Sequence, residues 1–154
     1  MIICDAQPQD IPEISRFLTQ LETLGKRTIP SDETYVRAQY IEHPDKILCS
    51  VAQDNDGALL GLQILKHATP RNIYDVTPGW GIIGTHVRAD CARRGVGKAL
   101  FAITLAAAKS AGLKKIDATI GAKNSEGLGY YQAMGFRTYQ TEPGRIRKCF
   151  TLFT

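Results

Sequence analysis

A mixed α+β fold, with helices layered on one α/β sheet, is predicted from three features of the sequence. Three consecutive strand-like runs occupy the middle of the chain. An Ala- and Leu-rich helix follows the third of them directly and leads to another strand, the pattern of a crossover between parallel strands. At 154 residues and 44% hydrophobic content, the chain supports one core and is too short for two ordinary ones, so a single domain over residues 1–154 is expected.

The elements follow from local chemistry. A short strand is expected from Met1 to Asp5. From Asp10, Ile11, Ile14, Phe17, Leu18 and Leu21 fall on one helical face, and Gly25 is a natural stop. A second helix starts at Pro30-Ser31, with Ser31 as N-cap and Asp32 and Glu33 in its first turn, and ends before His43-Pro44. Lys46 to Gln53 and Ala58 to His67 are strands joined by Asp54-Asn55-Asp56-Gly57, whose residues suit a tight antiparallel hairpin. Trp80 to Arg88 is the third strand of the run. Gly97 to Gly112 is a helix, Lys115 to Ile120 a strand, and Ser125 to Met134 a helix stopped by Gly135. Strands over Phe136 to Thr141 and Ile146 to Phe153 flank a turn at Pro143-Gly144. The order is β-α-α-β-β-β-α-β-α-β-β, and the last strand is expected at a sheet edge, where a dimer could form as readily as the chain could remain a monomer.

Composition narrows the function. The N-terminus lacks a basic, apolar leader, and no run approaches the roughly 18 apolar residues of a membrane span, so a cytoplasmic protein with no membrane partner is expected. Cys4, Cys49, Cys91 and Cys149 are dispersed, without metal-ligand spacing; a metal site or disulfide framework is not expected, and small residues in strands or at element ends are favoured over a reactive thiol. The net charge of +4 comes from scattered cations with two short clusters, Arg93-Arg94-Lys98 and Arg145-Arg147-Lys148, rather than a basic face with interleaved aromatics; nucleic acid is not the expected partner.

The chemical signal lies in Arg94-Gly95-Val96-Gly97-Lys98. A strand running through glycines into a helix gathers unpaired N–H groups and the positive end of a helix dipole at one point, which suits an anion. A P-loop fails here because Ala92 and Ala99 stand where Gly and Ser or Thr are required. A dinucleotide fingerprint fails because Leu100 stands where glycine is required. The turn alone could equally be a simple bend.

Val87 through Leu100 resembles the GNAT superfamily, the GCN5-related N-acetyltransferases, in which a strand leads into [Q/R]-x-x-G-x-[G/A] and a long helix. Downstream, Asn124, Tyr131 and Gly135-Phe136 stand at the spacing at which that family carries an Asn, then a Tyr just before a Gly-Phe pair. The resemblance covers residues 80–137, and departs from the pattern at Ala92 and Ala89, where Gln or Arg and Pro are usual. It implies a sheet that splays between its fourth and fifth strands around acetyl-CoA. The amides of Arg93, Arg94, Gly95, Val96, Gly97 and Lys98 would hold the pyrophosphate, and the backbone near Val87 would pair with pantetheine and serve the developing oxyanion. Asn124 would touch pantetheine or act as a turn or cap residue.

Acetyl transfer to an amine also needs a proton for the leaving thiolate and a base for the amine. Tyr131 suits the first role, with packing as its alternative. For the second, Trp80 to Val87 contains no acid; His86 is the titrating side chain on it, Asp75 lies upstream, and a water chain is a third possibility. Tyr35, Tyr40, Trp80 and the loop Pro70 to Pro78 are candidates for a pocket wall. The acceptor is expected to be a small-molecule amine or amino acid, with a protein N-terminus or lysine as the second choice and a catalytically inactive acyl-CoA-binding module as a further alternative.

Overall fold

The computed structural model describes residues 1–91 and 94–152. Its strands are β1 (Ile2–Asp5), β2 (Lys46–Gln53), β3 (Leu59–His67), β4 (Gly81–Val87), β5 (Lys115–Gly121), β6 (Arg137–Glu142) and β7 (Arg145–Thr151). Its helices are α1 (Ile11–Thr23), α2 (Glu33–Val36, continued by a π-turn over Arg37–Ile41), α3 (Val96–Ser110) and α4 (Ser125–Met134). Element types and order agree with the sequence reading, with short 3-10 turns added at Pro8–Asp10 and Ala89–Cys91.

The strands form one seven-stranded sheet in the order β1-β2-β3-β4-β5-β7-β6. Every neighbouring pair is antiparallel except β4 and β5, which α3 joins as a right-sized crossover into a parallel pair. Side-chain alternation assigns the faces. Cys49, Val51, Leu62 and Ile64 pack under α1 and α2 with Ile14, Phe17, Leu18 and Val36. On the opposite face, Leu65, Ile83, Ile116 and Ala118 pack with Phe101, Leu113, Tyr131 and Phe136 from α3, α4 and their connections. Phe101, Phe136 and the partly buried Phe150 form a mutual cluster with ring centroids 5.5 Å apart, the two buried rings contributing about 1.5–3 kcal/mol each.

Gly61 shows why α3 can lie so close to β3: a Cβ there would stand 2.9 Å from Val96 Cγ1 and 3.2 Å from the His86 carbonyl. The hairpin between β2 and β3 turns as expected, with Asp54 Oδ1 accepting from the N–H groups of Asp56 and Ala58 and Gly57 at φ +84°.

Two expectations are corrected. The cap of α2 is Asp32, whose Oδ2 accepts from Tyr35 N at 3.2 Å, because Ser31 is buried and its Oγ is taken by Arg27 Nε. The C-terminal edge strand is β6, not β7: the hairpin inserts β7 between β5 and β6. Phe153, expected to end the last strand, lies outside the described residues. Among the described residues, no helix is long and apolar enough to cross a membrane.

Candidate active site

The parallel pair β4–β5 is joined at two positions only, Gly81 with Ile116 and Ile82 with Asp117. Beyond Ile82 the strands part while β4 stays paired to β3 as far as Val87. The Arg88 N–H donates to Leu60 O at 2.8 Å, so strand alternation turns the polar backbone groups of His86 and Gly84 toward β3 and those of Thr85 and Val87 toward the gap. No strand faces them there among the described residues. The result is a cleft with a row of open backbone donors and acceptors on one wall.

The glycine turn stands at the end of that wall. Gly95 caps α3 with φ +82°, a left-handed conformation that a side chain would strain. Its carbonyl accepts the Ala99 N–H at 3.0 Å, so the N–H groups of Val96, Gly97 and Lys98 precede the helical ladder. No acceptor for them lies among the described residues. The Arg94 N–H is engaged by Cys91 O at 3.2 Å. Arg93, expected to contribute to the same site, lies outside the described residues, as does Ala92.

Two tyrosines from α4 connect this turn to β4. Tyr130 Oη donates to Gly97 O at 2.7 Å and accepts from Gln63 Nε2 at 2.9 Å. Gln63 Nε2 also donates to Thr85 Oγ1 at 2.9 Å, and that hydroxyl is 2.8 Å from Tyr131 Oη. Gly97 is required here, since a Cβ would meet Tyr130 Cε1 at 2.5 Å. Tyr131 is buried against Phe136, ring centroids 5.1 Å apart, so it has both the packing contact and a polar contact in the cleft. Burial raises its pKa, with the Thr85 hydrogen bond opposing; burial likewise pushes Tyr130 up to about 12. Asn124 is the N-cap of α4, its Oδ1 accepting from Gly127 N at 3.0 Å.

His86 points to the other face of the sheet. Its Nε2 lies 3.3 Å from Arg27 Nη1 and 3.4 Å from Tyr40 Oη. Burial first, and the Arg27 charge second, push its pKa down to about 3. A side chain whose protonated form is so unfavourable is a weak base at neutral pH. Asp75 is exposed, in a left-handed conformation at φ +57°, on a loop that Asn72 holds through Thr69 O, Tyr74 N, Val76 N and Val76 O.

Around His86 the α1–α2 face carries two buried cations. Arg27 spreads over Ser31 Oγ (2.9 Å), Pro30 O (2.6 Å), Tyr40 Oη and His86, with its guanidinium 5.8 Å from the Tyr35 ring centroid. Lys66 on β3 donates to Gln39 Oε1 at 2.9 Å and lies 3.4 Å from Tyr74 Oη. Of the expected wall residues, Tyr35, Tyr40 and the loop carrying Tyr74 meet here. Trp80 instead meets Tyr139 edge to face, centroids 5.4 Å apart, under Lys115.

Sequence reasoning missed Thr85, Gln63, Tyr130's polar role and Arg27. Gln63 carried a local signal, a polar residue in an otherwise apolar strand; Arg27 carried none, because its partners are brought to it by the fold. The cysteines are free among the described residues, and burial pushes the Cys49 thiol up to about 12, which suits an inert packed side chain.

Comparison with known proteins places this geometry. The architecture matches a GCN5-related N-acetyltransferase from Kribbella flavida with a TM-score of 0.80 at 21% identity, covering 98% of this chain and 97% of that one. A ribosomal-protein-alanine N-acetyltransferase from Brucella melitensis matches with a TM-score of 0.76 at 15% identity, covering 99% and 100%. The structure of yncA from Salmonella typhimurium with its cofactor acetyl-CoA matches with a TM-score of 0.72 at 16% identity, covering 98% and 93%. No curated protein matches by sequence. The sequence model of the acetyltransferase (GNAT) family matches residues 14–136, and the chain therefore belongs to the GNAT family of N-acetyltransferases.

Proposed function

We propose that the protein transfers the acetyl group of acetyl-CoA to the primary amine of a small molecule or an amino acid. The observation that carries this reading is the parting of β4 from β5, which leaves the Thr85–Val87 edge open beside the N-terminus of α3. The donors present fit the cosubstrate: amides at a helix start for a pyrophosphate, and a strand edge for an amide-bearing arm. Acetyl-CoA supplies an acetyl group activated as a thioester.

Each residue then has a task. The N–H groups of Gly95, Val96, Gly97 and Lys98 hold phosphate oxygens, with Arg93, Arg94 and Lys98 adding positive charge. The Val87 N–H donates to the thioester carbonyl as negative charge develops on its oxygen. The amine nitrogen bonds to the carbonyl carbon, the carbon–sulfur bond breaks, and the products are an N-acetyl amide and free CoA thiol. Thr85 Oγ1 already accepts from Gln63, so its own proton is available to Tyr131 Oη, which frees the Tyr131 proton for the sulfur. Asn124, as the cap of α4, holds the helix that delivers Tyr131.

The amine proton leaves to water in the cleft or to His86. The two routes differ in pH dependence: with water, kcat/KM rises toward the pKa of the amine itself, whereas transfer to His86, whose pKa is pushed down to about 3, would add a limb near that pH. The strand's lack of an acid also favours a second reading, an acyl-CoA-binding module without turnover.

The first test is calorimetric titration of acetyl-CoA into the wild type and Gly95→Glu. Binding by the wild type and none by a folded variant is expected; no wild-type binding would remove the transferase reading. Amine-dependent CoA release then separates enzyme from module. For Tyr131→Phe, kcat is expected to fall by about 10²-fold or more while acetyl-CoA binding changes little.

A further inference from the structure

The two cations on the α1–α2 face have an unusual shortage of negative charge. Arg27 and Lys66 are each only 6% exposed, and buried charges are normally paired because removing them from water is costly. Neither makes a salt bridge among the described residues. Asp45 acts on Lys66 only from beyond ion-pair distance. The buried acid of the neighbouring strand, Asp117 on β5, is already committed to Arg147, Tyr139 and Thr119.

The guanidinium of Arg27 is held but not saturated. Its Nε is used by Ser31 and one Nη2 hydrogen by Pro30 O. The Nη1 contacts to Tyr40 and His86, at 3.4 and 3.3 Å, are at the outer limit of a hydrogen bond. That leaves one Nη2 hydrogen without a partner and the two on Nη1 in long contacts that a carboxylate can replace, so that the Nη1–Nη2 pair grips it with two parallel bonds. The neighbours are half open: Tyr35, Gln39, Tyr74 and His86 all keep part of their surface accessible. The loop also borders the cleft, since Lys26 beside it reaches Glu126 at the start of α4 at 2.9 Å.

We propose that the acceptor is an α-amino acid, or a primary amine with a carboxylate at equivalent reach, and that Arg27 binds its carboxylate. The position of Arg27 selects this class. It contacts His86, the residue between Thr85 and Val87, so an acid bound to it lies within a few bonds of an amine attacking at the β4 edge. Lys66 stands four residues along the sheet, opposite Ile82, or about 13 Å from the His86 position. It extends the positive field without touching the amine, and cationic acceptors such as polyamines are disfavoured by both charges.

This inference rests on the acetyl-CoA reading, and the experiment separates the two. Wild-type protein is assayed for CoA release with free α-amino acids, their methyl esters and polyamines, alongside calorimetry with acetyl-CoA. The free acids are expected to exceed their esters in kcat/KM by about 10- to 100-fold, the range of a charged hydrogen bond. In Arg27→Lys, which keeps the charge but loses the fork, that ratio is expected to shrink toward unity through KM. Because the ratio is measured first on the wild type, a variant that fails to fold leaves the test intact. Esters or polyamines used as well as the acids would overturn the carboxylate assignment while leaving the transferase reading standing. Acetyl-CoA binding with no turnover of any amine would overturn both.

Discussion

At His86 burial and one neighbour, Arg27, decide the charge state, and stability should register it. The pKa of the folded chain is pushed from 6.5 down to about 3, by burial and by Arg27. The native imidazole is therefore neutral where the unfolded one binds a proton, so the unfolded state gains protons first as pH falls below about 6.5. Stability from this group is complete above that pH and is lost progressively toward pH 3. Between about pH 7 and about pH 5 the wild type is expected to lose about 1 kcal/mol more than His86→Gln, allowing for the partial accessibility of the ring. Urea unfolding at the two pH values measures this, and equal losses would mean that the imidazole is not held neutral. The sequence showed His86 as the titrating side chain on its strand but could not show its state, because Arg27 lies 59 residues away. The same distance problem hid Thr85, whose partner Tyr131 is 46 residues further on.

Among the elements, the hairpin β6–β7 carries the most consequential buried charge. Arg147 is 2% exposed; it donates to Glu142 at 2.7 Å and to Tyr74 O at 3.0 Å, and lies 3.9 Å from Asp117. It thus ties β7 to β5 and to the loop before β4. Arg147→Met is expected to cost about 3–5 kcal/mol, because Asp117 is left buried without its cation. Burial already raises the Asp117 pKa, so the loss should be larger at pH 8 than at pH 5, where the carboxyl can take a proton. Urea denaturation at both pH values would show the difference. Helices and strands were legible where punctuation is local: Gly25, Gly57, Gly112 and Gly135 all end or turn elements at positive φ. The cap of α2 was misplaced by one residue because Ser31 and Asp32 are both competent caps, and only the long-range demand of Arg27 on Ser31 distinguishes them. Strand order was less legible still, since nothing local says that β7 rather than β6 pairs with β5.

Taken as a whole, the molecule is two antiparallel blocks, β1–β4 and β5–β7, joined side by side at Gly81–Ile116 and Ile82–Asp117. The blocks were foreseeable from the hairpins and the crossover helix, and the splay between them from the resemblance of residues 80–137 to a family. What accompanies the splay is visible only in three dimensions: α4 sends Tyr131 to Thr85, on the stretch of β4 beyond its pairing with β5. This seam gives a single strand two different exchange environments. Along β4, the amide hydrogens of Gly84 and His86 are locked to β3, while those of Thr85 and Val87 face the gap, so deuterium uptake should alternate residue by residue, fast at the odd positions and slow at the even ones. Adding acetyl-CoA should erase the alternation by slowing the odd positions alone. One strand thus carries its own internal reference, reporting occupancy of the cleft on one side and integrity of the sheet on the other.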